Sequence, residues 1–64
     1  MGQESESGLG EELRKELFRV LVVAQDHEMS VPESRHMVCA RFGVTEDEVR
    51  RIEREGIAGR WPPL

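Results

Sequence analysis

Two short patterns typical of helix starts constrain this chain more than any other feature. Ser30 is followed three residues later by Glu33, and Thr45 is followed three residues later by Glu48. In such a capping box the hydroxyl accepts a hydrogen bond from the backbone N–H three residues on, and the carboxylate accepts one from the backbone of the hydroxyl residue. The pattern therefore predicts one helix beginning after Ser30 and another beginning after Thr45.

Glycines suggest where these two helices end, because glycine takes a left-handed backbone conformation without a Cβ clash. Gly43 ends the first of them, which is predicted to run to about Phe42. By the same rule the last helix runs to about Glu55 and Gly56 is its stop. A connection of only a few residues around Gly43 brings the two helices together in space.

A further helix is predicted ahead of them, from Glu11 to about His27. Its apolar residues recur with the spacing of one helix face, namely Leu13, Leu17, Val20, Leu21 and Ala24. Three more apolar residues, Phe18, Val22 and Val23, widen this arc beyond a single stripe. So wide an arc indicates a central helix or a helix that offers part of its surface to a partner.

The C-terminal residues 57–64 contain a glycine and a Pro-Pro pair, which favour extended backbone. We expect Ile57 and Trp61 to fold back on the helices, with Trp61 closing a thin core. The alternative role for Trp61 is to anchor a partner. Together these patterns predict an all-α, three-helix domain over residues 11–64, ending in an extended Trp- and Pro-containing tail.

Charge is distributed unevenly along the 64 residues, whose net charge is −4. Residues 1–32 carry seven acids and three bases, a net charge of −4, whereas residues 33–64 carry six of each. Every base in the second half is arginine. Residues 1–10 lack apolar periodicity and are predicted to be a disordered acidic tail. The overall acidity therefore does not exclude nucleic acid as a ligand of the second half.

Several function classes are disfavoured. A chain of this size buries only about 60% of its surface on folding, which leaves little room for an active-site cleft, so we expect no enzyme, no cofactor and no small-molecule substrate. The longest apolar run, residues 20–24, is far too short to span a membrane, and no secretory signal precedes it, so a cytoplasmic protein is expected. His36 and Cys39 lie three residues apart, but their spacing resembles no zinc site, and we expect no metal.

The spacing around Gly43 predicts a helix-turn-helix. The motif requires a small residue inside its first helix, a glycine at the turn and apolar residues that wedge the helices at a steep angle. Cys39 lies four residues before Gly43, while Val49 and Ile52 lie six and nine residues after it. Each position thus holds a suitable residue type.

The same segment resembles a known family. Residues 42–45 read Phe-Gly-Val-Thr and residues 49–53 read Val-Arg-Arg-Ile-Glu, which is similar to the helix-turn-helix in the fourth conserved region of bacterial sigma factors. The resemblance covers about residues 31–55. It implies a promoter-binding module that also docks proteins, with residues 45–54 in the recognition position. Residues 46–48 are acidic where that family usually carries an arginine.

A helical wheel predicts which side chains of the last helix face outward. If Val49 and Ile52 face the core, the outermost positions are those of Asp47, Arg50, Arg51 and Arg54. These residues, with Thr45 at the cap, are the candidate contacts to double-stranded DNA. The alternatives are a protein-binding face and a solvated face, on which acids four residues away offset the arginines.

The leading functional prediction is a small, non-enzymatic helix-turn-helix module that binds DNA or takes part in transcription regulation. The alternative is a protein-interaction subunit that docks on a larger partner or forms a homodimer. The candidate partner-binding residues are Phe18, Val22 and Trp61.

Overall fold

The computed structural model describes residues 8–64, and in that span every regular element is a helix. Helix α1 comprises Glu11–Asp26, α2 Val31–Phe42 and α3 Glu46–Gly59. The prediction of an all-α chain with three helices is confirmed. The predicted disordered tail falls mostly on residues 1–7, which lie outside the described residues. Leu9 is half-buried and packs against the core, so the fold reaches back at least to this residue.

Both predicted capping boxes are present. The Ser30 hydroxyl accepts a hydrogen bond from the Glu33 backbone N–H at 3.2 Å, and the Glu33 carboxylate accepts one from the Ser30 N–H at 3.2 Å. The corresponding distances for Thr45 and Glu48 are 3.2 and 3.0 Å. The starts of α2 and α3 are therefore determined by a few adjacent residues.

The end of α2 also follows the sequence prediction. Gly43 has a φ of 68°, in the left-handed region, and its N–H donates to the Cys39 carbonyl at 2.9 Å. Only three residues, 43–45, separate α2 from α3.

The end of α3 differs from the prediction. Gly56 is not a stop but a buried position inside the helix, where the ring of Phe18 from α1 lies directly against its backbone. A Cβ atom at this position would lie 2.4 Å from the nearest ring carbon, so glycine is required by packing. The helix continues to Gly59 and ends at Arg60, which has a left-handed φ of 54°. Residues 57–59 are therefore helical, and the prediction that they are extended is wrong.

The core lies where the three helices meet. Its buried apolar side chains are Leu17, Phe18, Leu21, Val38, Val49, Ile52 and Trp61. The expectation that Trp61 closes the core is confirmed, since its ring packs edge-on against Phe18 with a centroid separation of 6.0 Å.

The buried stripe of α1 is rotated from its predicted position. Phe18 lies at the centre of the core, whereas Leu13 is 51% exposed. The rotation follows from Gly56, because the gap that it leaves in α3 accepts the Phe18 ring. Ile57 was expected to fold back on the helices. It is instead part of α3, and its side chain is 61% exposed.

One polar contact lies among the apolar ones. Ser34 is fully buried, and its hydroxyl donates to the Val31 carbonyl at 2.9 Å while accepting a hydrogen bond from the Gln25 amide at 3.0 Å. The hydrogen bond between Gln25 and Ser34 joins α1 to α2.

None of the helices in the described span combines the length and the apolar character needed to cross a membrane.

Candidate nucleic-acid interface

The outward face of α3 carries arginines on two successive turns. Arg50, Arg51 and Arg54 are all exposed, and Val49 and Ile52 on the opposite side are buried. This is the orientation that the helical wheel predicts. The arginines therefore form a positively charged ridge, the arginine ridge, along the middle of α3.

The first turn of α3 has the opposite charge. Glu46, Asp47 and Glu48 lie there, where the positive end of the helix dipole stabilises carboxylates. Asp47 is exposed next to the arginine ridge. The Thr45 hydroxyl is engaged in capping, as an acceptor for the Glu48 N–H. The basic part of the face therefore begins at Arg50, one turn into the helix.

A shallow depression of about 330 Å³ lies between α2 and α3 beside this ridge. It is lined by Arg35, Arg50, Glu53, Arg54 and Ile57. Arg35 and Ile57 are not among the site residues predicted from the sequence. Arg35 reaches this surface only through the packing of α2 on α3. The lining contains three arginines and one glutamate, so its net charge is +2.

Two ion pairs connect α3 to the other helices. Arg35 of α2 donates from Nε and Nη2 to one carboxylate oxygen of Glu53, at 3.2 and 2.9 Å. On another side of α3, Arg14 of α1 donates from Nε and Nη2 to the two oxygens of Glu55, both at 2.9 Å. Arg14 also donates from Nη1 to the Leu9 carbonyl at 2.9 Å.

The predicted partner-binding residues do not form an exposed surface. Phe18 is 1% exposed and Trp61 is 9% exposed, while Val22 is half-buried against the core. Binding through Phe18 or Trp61 would require the core to open. In the described part of the chain, the large apolar side chains that are exposed are Leu13, Val23, Met29, Val31, Ile57 and Leu64.

The single cysteine does not have the environment of a reactive thiol. Cys39 is half-buried on α2, and burial raises the pKa of its thiol, with smaller contributions from the carboxylates of Glu46 and Glu48. A nucleophilic or metal-binding cysteine requires the thiolate, which a raised pKa disfavours. Within residues 8–64, no three His, Cys, Asp or Glu side chains are grouped closely enough to hold a metal ion.

We expect alkylation of Cys39 by iodoacetamide to reach half of its maximal rate at a higher pH in the folded protein than in the unfolded chain, because burial raises the pKa of the thiol. Since the folded state holds the thiol proton more tightly, this group stabilises the fold below the pKa of the unfolded chain, and the contribution is lost as the pH rises through the folded-state pKa. A pH series of alkylation rates, with the urea-unfolded chain as control, measures the shift. A folded-state midpoint at or below that of the unfolded chain would contradict it.

Comparison with known proteins assigns the chain to no family: no protein-family model matches it, and neither does any curated protein or solved structure. Its function is therefore inferred from the residues of the chain itself.

Proposed function

We propose that the protein is a small, non-enzymatic DNA-binding module of the helix-turn-helix type. The observation that carries this proposal is the arginine ridge, with Arg50, Arg51 and Arg54 exposed on the helix face opposite Val49 and Ile52. An α-helix with such a ridge fits the major groove, where arginine binds guanine edges bidentately and also contacts phosphates.

The connection between α2 and α3 supports the same proposal. In a helix-turn-helix, two helices are joined by a turn of three or four residues that often contains glycine. Here the connection is residues 43–45, and Gly43 has a left-handed φ of 68°. The sequence resemblance to the fourth conserved region of bacterial sigma factors adds promoter binding, and thus transcription regulation, to the proposal.

The charge of each side chain determines which DNA group it would contact. Arg50 and Arg54 contact phosphates or guanines, and Arg51 flanks them. Asp47 is placed to accept a hydrogen bond from a cytosine amino group, the base contact that suits a carboxylate. Thr45, the N-cap residue of α3, would contact a phosphate at the start of the helix. Because few phosphates are contacted, binding is expected to be weak and to fall steeply with salt.

A duplex titration at about 50 mM salt tests the proposal. We expect Arg50→Gln/Arg54→Gln to weaken binding about tenfold or more, since each lost arginine contact removes a phosphate or guanine interaction. The matched control is Lys15→Gln/Arg19→Gln, which removes the same charge from exposed positions of α1 and leaves the ridge intact. Equal losses in the two variants, or no binding by the wild type, would contradict the proposal.

One observation favours the alternative, a protein-interaction subunit. Among residues 8–64, six large apolar side chains are exposed around a small core, and Ile57 and Leu64 are more than half exposed. Docking on a larger partner or on a second copy would bury them. A chain that binds no duplex in the titration above would leave this alternative as the better proposal.

A further inference from the structure

We propose that the depression between α2 and α3 is a seat for one DNA phosphate, and that Glu53 competes with this phosphate for Arg35. The inference rests on the proposed DNA-binding function. It extends the interface from the arginine ridge of α3 to a residue of α2, and it identifies a carboxylate that limits affinity.

The geometry of Arg35 supports the first step. Its Nε and Nη2 both donate to a single oxygen of Glu53, at 3.2 and 2.9 Å. A guanidinium presents this planar edge to phosphate oxygens as well as to carboxylates. Glu53 therefore engages two of the five N–H donors of Arg35, those of the Nε–Nη2 edge, which is an edge that a phosphate would also use.

The surroundings favour an anion at this place. Arg50 and Arg54 line the same depression, so that without Glu53 its lining would carry three positive charges and no negative one. Its volume of about 330 Å³ is roughly ten times that of one water in the liquid, which leaves room for a phosphate group and its remaining waters. Ile57 supplies an apolar wall on one side.

The Arg35–Glu53 ion pair is also partly shielded from solvent, so that its interaction energy affects the binding of a phosphate. The side chains of Arg35 and Glu53 are only 24% and 18% exposed. Charges that are partly removed from water interact more strongly and are screened less by salt. A phosphate must therefore displace Glu53 or share Arg35 with it, and either lowers the affinity for DNA.

Glu55 provides a matched comparison on the same helix. It lies two residues from Glu53 and is also paired with an arginine, Arg14. It does not line the depression. Neutralising either glutamate changes the net charge of the protein by the same amount, but only one change frees an arginine beside the arginine ridge.

The experiment is a titration of wild type, Glu53→Gln and Glu55→Gln with a 30-base-pair duplex of mixed sequence at several salt concentrations. We expect Glu53→Gln to tighten Kd about three- to tenfold and to steepen the slope of log K against log salt by about 0.9, the value for one additional phosphate contact. Glu55→Gln should change Kd less than about twofold, with an unchanged slope. Adding Arg35→Gln to Glu53→Gln should abolish the gain.

Each other outcome is decisive. Equal gains from Glu53→Gln and Glu55→Gln would show that only net charge matters, and would overturn the inference. No gain from Glu53→Gln, in a protein that binds DNA and loses binding with Arg50→Gln/Arg54→Gln, would overturn the inference but leave the proposed function intact. No binding by any variant would overturn both.

A measurement on the wild type covers the case in which Glu53→Gln fails to fold. The Nε–H resonance of Arg35 reports directly on its acceptor, and we expect it to shift as the duplex is added. An unchanged Arg35 resonance at saturation, with shifts at Arg50 and Arg54, would overturn the inference.

Discussion

Replacing Gly56 by alanine is expected to lower the free energy of unfolding by about 1–2 kcal/mol, although alanine is the better helix former. Helix propensity alone would raise stability by up to about 1 kcal/mol. Against this, the new Cβ would lie 2.4, 2.5 and 2.7 Å from three ring carbons of Phe18. Phe18 is only 1% exposed and packs against Trp61, so its ring can move only if other core side chains move with it, and overpacking of this kind costs about 1–3 kcal/mol.

Urea denaturation followed by far-UV circular dichroism measures this effect. The control is Ala58→Gly, an exposed position two residues further along α3, which should cost no more than about 1 kcal/mol from helix propensity. In the double variant Phe18→Leu/Gly56→Ala the smaller side chain relieves the clash, so its loss should be less than the sum of the single losses. An unchanged or higher stability of Gly56→Ala would contradict the close approach of α1 and α3.

Replacing Trp61 by alanine is expected to cost about 3–5 kcal/mol, which is the usual cost of truncating a buried aromatic residue to alanine. The ring of Trp61 packs edge-on against Phe18, with the Lys15 ammonium 5.7 Å from its centroid. Its backbone N–H also donates to the Gly56 carbonyl at 2.9 Å. Because domains have about 0.05–0.15 kcal/mol of stability per residue, the loss would consume much of the total for so short a chain.

The same denaturation assay, read by far-UV circular dichroism because the variant lacks the single tryptophan, tests this expectation. Trp61→Phe should retain part of the stability, since it keeps an aromatic ring against Phe18. Leu64→Ala is the matched control at a position that is 57% exposed, and it should change stability by no more than about 0.5 kcal/mol. Comparable losses at positions 61 and 64 would argue against a core role for Trp61.

Local features of the fold were predictable from sequence because a few adjacent residues determine them. The starts of α2 and α3 depend on hydroxyl and carboxylate side chains three residues apart, and both starts were predicted correctly. Gly43 acts as a helix end because the chain there needs a left-handed φ. The exposure of the arginine ridge follows from helix periodicity once Val49 and Ile52 face the core.

Features that depend on a second helix were not predictable. A glycine that ends a helix and a glycine that admits a neighbouring ring look alike in sequence, and the Phe18 ring alone distinguishes Gly56 from a stop. The arginine partners of Glu53 and Glu55 are 18 and 41 residues away along the chain, and helix periodicity within α3 gives no indication of either one. Arg35 was not predicted as part of the candidate interface for the same reason, because only the packing of α2 on α3 brings it close to the arginine ridge.

The positions of Glu53 and Glu55 have a consequence for the direction in which α3 faces. Two residues along an α-helix correspond to about 200° of rotation about its axis, so these carboxylates point in nearly opposite directions. One is held by α2 and the other by α1, at 2.9 Å in each case. A turn of α3 about its own axis would stretch both ion pairs at once. The direction in which the arginine ridge faces is therefore fixed by two ion pairs on opposite sides of α3, as well as by the packing of the buried apolar side chains of α3.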